Sequence, residues 1–416
     1  MGILATTPSS GFRLAGIEGA RALAAGSILV SHVWLFASPD GAVVDLGRLE
    51  TVAPDLAYGV VLFFALSGFL LYWPFAAAIL RRTDAPNSRR YFRNRALRII
   101  PAYWVILLVS SLVLQSAVRP DGTHGALFDP LLLAQSLLFV QHYDPDQILT
   151  GIGPAWSLNV EIVFYLLLPA LGFIGIMLRR RGRSPLAAAL APALILLVVG
   201  LVGKGVAKYV VSPQYPFAGW ESDWHSVIER SFLCQADLFA FGMALAVVRV
   251  LWEDGRLRLP TWWRLPTALA ATPALVLIAV RATNGDEHLS YSPWNTLVAL
   301  DFAVLLSLVV LVKQTNRRSP LLVRTLEWRP LAAVGVVSYG VFLWHGPLII
   351  SLQEWGLTFS GRAGFLANLA IIASVTVLLS IATYRFVEEP SLRRRASSRH
   401  DGPDPQLIAA AEHAAP

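Results

Sequence analysis

Residues 56–80 read LAYGVVLFFALSGFLLYWPFAAAIL, twenty-five positions without an Asp, Glu, Lys, Arg or His. As an α-helix this stretch covers ~37 Å, more than the ~30 Å of a bilayer's hydrocarbon core. Nine further runs are uncharged or nearly so: 20–37, 99–117, 154–178, 185–203, 228–250, 265–282, 294–312, 331–352 and 363–384. Each is long enough to cross. Composition agrees, with 55% hydrophobic and 15% charged residues and a mean hydropathy of +0.57, which leaves too little polar surface to cover a soluble fold of 416 residues. The expected fold is an all-α integral membrane protein, a bundle of about ten transmembrane helices in contact with the lipid bilayer. An eleventh apolar run, 130–140, reaches only ~16 Å as a helix and is expected to be re-entrant or interfacial.

The charges test the count. With the amino terminus inside, the cytoplasmic segments collect 27 of the 34 basic residues, including seven arginines between 81 and 98 and four between 179 and 183. The outer segments hold seven basic residues against fourteen acidic ones. Counting 130–140 as a span would put the 179–183 cluster outside, against the positive-inside bias, so ten spans with both termini cytoplasmic are expected. The net charge of +7 then belongs to cytoplasmic loops and does not argue for a nucleic-acid partner. All but three of the basic residues are arginine, which reads first as a GC-rich, bacterial coding sequence. A single cysteine, Cys234, excludes an internal disulfide framework, and no metal site is expected. Residues 1–12 and 396–416 are small, polar or Ala/Pro-rich and read as disordered cytoplasmic ends around a membrane domain at 13–395. The loop at about 204–227, with Trp220, Trp224 and His225, is long enough to cap a cavity.

Ionisable groups at membrane depth are costly, and their default reading is functional. His32, Glu161, Asp237, Asp301 and His345 stand out. Helical rise puts His32 ~8 Å and Glu161, His345 and Asp301 ~10 Å below the outer boundary, with Asp237 nearer the midplane. Arg21 and His32 are eleven residues apart, about three turns, so they share a helix face with ~16 Å between them. Arg21 at the inner boundary suits a phosphate, and His32 at depth suits a base. Other readings stay open. Arg21 is also an ordinary boundary arginine, and His32 a histidine bonded to a carbonyl. Asp237 and Asp301 also serve as structural partners, for example of Arg230, and the His345 ring also satisfies backbone freed at Gly346-Pro347.

Together these residues resemble the acyltransferase-3 family of membrane acyltransferases. Arg21 and His32 match its Arg-x10-His signature. Phe63-Phe64-Ala65-Leu66-Ser67-Gly68-Phe69 is similar to FFxLSGF, and Tyr91-Phe92-Arg93-Asn94-Arg95-Ala96-Leu97-Arg98-Ile99-Ile100-Pro101 to YFxxRxxRIxP. Residues 156–165, from Trp156 through Glu161 to Tyr165, resemble WSLxVExxFY. Ser338-Tyr339 through His345-Gly346-Pro347 resembles SYxxYLxHxP, and Tyr384 to Pro390 the closing YRFxExP. Ile162 stands where many members carry a second glutamate, which puts a two-carboxylate mechanism in doubt. No SGNH-type hydrolase domain follows the last span, so the resemblance implies a stand-alone member that completes transfer itself.

The resemblance implies a multi-pass enzyme of the bacterial cell membrane, an acyl-CoA-dependent O-acyltransferase with a cytoplasmic acetyl or short-acyl donor. The acceptor is a hydroxyl, often on a carbohydrate or glycosylated metabolite. Arg21, Arg95 and Arg98 are the expected phosphate ligands, because guanidinium forks bind phosphate bidentately. His32 is the expected general base, with Glu161 accepting its other ring N–H, and an acyl-histidine intermediate is the competing route. Ser67 is either an oxyanion donor or a helix-packing residue beside Gly68. His345, Trp156, Tyr339 and Asp237 are the expected acceptor-side residues. The alternative function is a proton-coupled transporter, since His, Glu and Asp in a membrane also form proton relays, although no inverted repeat is visible.

Overall fold

The computed structural model describes residues 14–392 apart from 40, 42, 48, 49, 51, 212–221, 261, 284–292 and 313–319. The expectations for residues 1–12 and 396–416 and for Trp220 fall outside the described residues. The chain forms α1 (Ile17–Phe36), α2 (Gly59–Arg81), α3 (Ser88–Leu108), α4 (Pro130–Leu137), α5 (Trp156–Arg180), α6 (Pro185–Tyr209), α7 (Trp224–Glu229) and α8 (Phe232–Gln235). There follow α9 (Asp237–Glu253), α10 (Arg264–Thr283), α11 (Pro293–Val310), α12 (Leu321–Leu326), α13 (Arg329–Val336), α14 (Ser338–Glu354) and α15 (Gly361–Thr383). A two-stranded antiparallel hairpin, β1 (Ala117–Val118) with β2 (His124–Gly125), is the one sheet among the described residues.

All ten apolar runs are helical, and the protein is an all-α, multi-pass membrane protein. Six helices among the described residues are long and apolar enough to cross a membrane unaided, and a seventh span arises if α13 and α14 act as one. Two of the remaining runs are interrupted within the described residues. Within run 228–250 the Ser231 hydroxyl accepts the Leu233 N–H at 3.2 Å and starts a new short helix, so the straight segment that follows, α9, has 17 residues. Run 331–352 bends by 73° between α13 and α14. The 130–140 run gives only α4, eight residues capped by Asp129 and too short to cross. Trp104 Nε1 and Tyr103 Oη donate to the carbonyls of Leu137 and Ser136, which fixes α4 against α3.

Without a hydrophobic drive between helices in lipid, close approach at small residues does the packing. α2 and α9 are the clearest case. A Cβ at Gly68 would strike the Phe239 carbonyl, and one at Gly242 would strike the Ala65 carbonyl. This crossing seats Phe239 between Phe64 and Phe164, with ring centroids 4.8 and 4.2 Å apart. Such aromatic pairs add about 0.5–1.5 kcal/mol each beyond their burial. Gly68 faces α9, and Ser67, one residue earlier, lines the cavity described next. α1 is anchored the same way, since a Cβ at Gly335 would meet the Glu18 carbonyl and one at Gly19 the Leu326 carbonyl.

Candidate active site

One cavity of about 100 Å³ gathers Arg21 from α1, Ser67 from α2, Arg95 and Arg98 from α3, Glu161 and Tyr165 from α5, and Tyr339 from α14. The arginines arrive there because the basic stretch is helical. Asn87 caps α3 by accepting the Arg90 N–H at 2.9 Å, and residues 95 and 98 then lie one turn apart on one face. Arg95 lies 6.0 Å from the Tyr165 ring centroid, and its Nε is buried with no hydrogen-bond partner among the described residues. Arg21 has Glu18 at 3.7 Å. Tyr339 donates its hydroxyl to the Ile99 carbonyl at 3.0 Å, tying α14 to the helix that carries the arginine pair. A buried donor without an acceptor beside two more guanidinium groups fits an anionic ligand such as phosphate.

The histidines form a separate centre. His32 Nδ1 lies 2.8 Å from His345 Nε2, and His345 Nδ1 lies 3.2 Å from the Val341 carbonyl. A carbonyl only accepts, so His345 carries its proton on Nδ1. Its Nε2 must then accept from His32 Nδ1–H, and His32 Nε2 is left with a lone pair. α1 runs unbroken from Arg21 to His32, so the three-turn spacing holds.

Several expected pairings differ. Glu161 does not meet the His32 ring; its Oε1 accepts from the Ser67 hydroxyl in a short hydrogen bond, and the place expected for Glu161 at His32 is taken by His345. Ser67 thus spends its proton on Glu161 instead of standing ready for an oxyanion. Asp237 is fully buried away from the cavity and bridges Lys204 Nζ and the Thr296 hydroxyl, so its partner is a lysine and not Arg230. Lys204 also donates to the Cys234 carbonyl at 2.8 Å. Removing one partner from a buried pair of this kind costs about 3–5 kcal/mol, and this tie between α6, α9 and α11 reads as structural. Trp156 packs its ring 5.6 Å from the Arg230 guanidinium and does not line the cavity. Asp301 is buried, with Oδ2 lacking a partner among the described residues.

Sequence reasoning missed Tyr165, Phe63 and Phe342 as cavity residues, although all three stand in quoted motifs. An aromatic in an apolar span carries no signal of which face it takes.

A family model described as an acyltransferase domain matches residues 14–385. The chain belongs to the acyltransferase-3 family. Among curated relatives, peptidoglycan O-acetyltransferase OatA of Listeria monocytogenes serovar 1/2a is 25% identical over 398 residues, 92% of this chain and 57% of its own. YrhL of Bacillus subtilis (strain 168), provisionally named a peptidoglycan O-acetyltransferase, is 25% identical over 391 residues, 90% of this chain and 54% of its own. Nodulation protein 10 of Rhizobium leguminosarum bv. viciae is 25% identical over 409 residues, covering 91% of this chain and 93% of its own. The acyltransferase-3 chain described here therefore spans about half the length of the first two relatives. No solved structure matches it.

Proposed function

We propose that the protein is an O-acyltransferase that takes an acetyl or short acyl group from cytoplasmic acyl-CoA and places it on a hydroxyl of a carbohydrate, with both chain termini cytoplasmic. The observation that carries this reading is the cavity with three arginines on its wall, one of them with a buried, unpartnered N–H, lying next to a histidine whose outer nitrogen is held deprotonated. The names of the relatives, which refer to peptidoglycan O-acetylation, support a polysaccharide-type acceptor.

In this mechanism Arg21, Arg95 and Arg98 hold donor phosphates, and the thioester end points along the α1 face toward His32. The acceptor hydroxyl attacks the thioester carbonyl carbon while its proton passes to His32 Nε2. The tetrahedral oxyanion collapses, the C–S bond breaks, and the CoA thiolate leaves and takes up the proton. A positioned base of this kind contributes about 10²–10⁴-fold. His345 keeps His32 in the basic tautomer and shares the charge of the imidazolium as it forms. Glu161 orients Ser67 at the cavity wall.

The test is transfer by purified protein in nanodiscs, given acetyl-CoA labelled in the acetyl group and soluble glycan fragments. Label should appear on the glycan in a base-labile ester. Failure to turn over any acyl-CoA, with intact protein, would contradict the reading.

A further inference from the structure

Two phenylalanines line the arginine-lined cavity, and one of them also touches the histidine pair. Phe342, on α14 three residues before His345, lines the cavity, and its ring centroid is 5.9 Å from the His345 ring. Phe63, on α2, lines the same cavity and meets Phe342 edge to face at 6.1 Å. Neither histidine is part of the cavity lining. Both phenylalanines are half-buried, and both line the cavity. We propose that the Phe63–Phe342 pair selects the donor by acyl length, forming the apolar seat for the acyl chain between the arginines and His32 and closing it to long chains.

This rests on the thioester-donor reading and adds to it. A donor held by its phosphates at the guanidinium groups must present its carbonyl carbon to a hydroxyl whose proton goes to His32 Nε2. The thioester therefore lies at the histidine end of the cavity, and the acyl chain, which has nothing to hydrogen-bond, lies against the two rings. Space there is short. The cavity's 100 Å³ is well below the roughly 300–1,000 Å³ of pockets that take drug-sized ligands. The cavity's apolar wall does not give way easily, because two of its other lining residues, Phe64 and Leu66, are 2% exposed and Phe64 is packed on Phe239. A close-packed interior of this kind resists added methylenes. In an apolar pocket one methylene more or less changes kcat/KM by about 10–200-fold.

The experiment measures kcat/KM of the full-length protein in nanodiscs with acetyl-, butyryl- and hexanoyl-CoA, for wild type and for Phe342→Ala, Phe63→Ala, Phe342→Leu and Phe63→Leu. The hexanoyl-to-acetyl ratio does not depend on how much of a variant is folded, so partial loss of protein does not obscure it. Wild type should favour acetyl over hexanoyl by at least about 100-fold, and each alanine variant should raise the ratio by at least about tenfold, with the leucine variants between. A wild type that uses both donors equally, or ratios within about twofold of wild type in the active variants, would overturn the proposal. So would loss of all activity in all four variants, since the rings would then serve the fold or the chemistry and not selection. A wild type that turns over no acyl-CoA at all is a different result, and it overturns the donor reading itself.

Discussion

Two buried histidine pairs share half of their wiring and differ in the other half. His345 donates Nδ1–H to the Val341 carbonyl, and His225, on α7, donates Nδ1–H to the Val211 carbonyl at 2.7 Å. Across the other nitrogen, His345 meets the neutral imidazole of His32, whereas His225 Nε2 meets the Glu229 carboxylate at 3.3 Å. The carboxylate raises the His225 pKa above the ordinary value of 6.5, chiefly through that contact. A ring facing a carboxylate is favoured as a cation. A ring facing a second ring passes its polarity on and leaves a lone pair at the far end of the chain, the arrangement that the proposed mechanism uses as its base.

Each half of that contrast can be broken. His32→Ala should produce the largest effect, a fall in kcat of about 10²–10⁴-fold with acyl-CoA still bound, seen by comparing turnover with binding of the same donor. His345→Ala leaves His32 with no acceptor for Nδ1–H and frees the tautomer; activity should fall about 10–100-fold, and His345→Gln, whose amide oxygen accepts, should recover part of it. Equal losses in the two variants would make His345 merely structural. Arg95→Ala tests the other centre and should raise KM for acyl-CoA about tenfold while kcat stays within about threefold, because phosphate contacts are the same in ground and transition states. A pure kcat loss would move Arg95 into the chemistry.

Glu229→Gln should have the smallest effect on turnover and a visible one on pH dependence. The folded-state pKa of His225 is raised, so the pair stabilises fully below pH 6.5 and loses its contribution as pH rises through the folded value. Amide exchange of residues 224–229 should therefore speed up as pH is raised above 6.5, beyond the intrinsic rate increase, in wild type. A variant that still shows that excess would mean another group controls the loop.

How much of this was legible depends on the range of the interaction. The helical runs could be read because lipid forces every backbone group to be satisfied within its own segment, so 56–80 or 363–384 declares itself without reference to the rest of the chain. The Arg21–His32 spacing and the Arg95–Arg98 turn are likewise local. The 73° bend after α13 and the break at Ser231 interrupt runs that hydropathy alone reads as continuous. Side-chain partners were the least legible. Ser67 meets Glu161 across 94 residues and His32 meets His345 across 313, separations that helical spacing does not encode, and Glu161 was paired with the His32 ring instead of the Ser67 hydroxyl. Asp237 was noted as a costly buried acid, but Lys204, its partner, sits near the end of a span where a lysine looks ordinary.

The most direct test of the central claim is ¹⁵N NMR of histidine-labelled protein in nanodiscs above pH 7, with the His32 signals among the eight histidines assigned by comparison with His32→Ala. His32 should show a protonated Nδ1 and a bare Nε2, the form required of a base. A His32 ring protonated on Nε2 would mean that the lone pair points at His345 instead of the acceptor, and would contradict the mechanism.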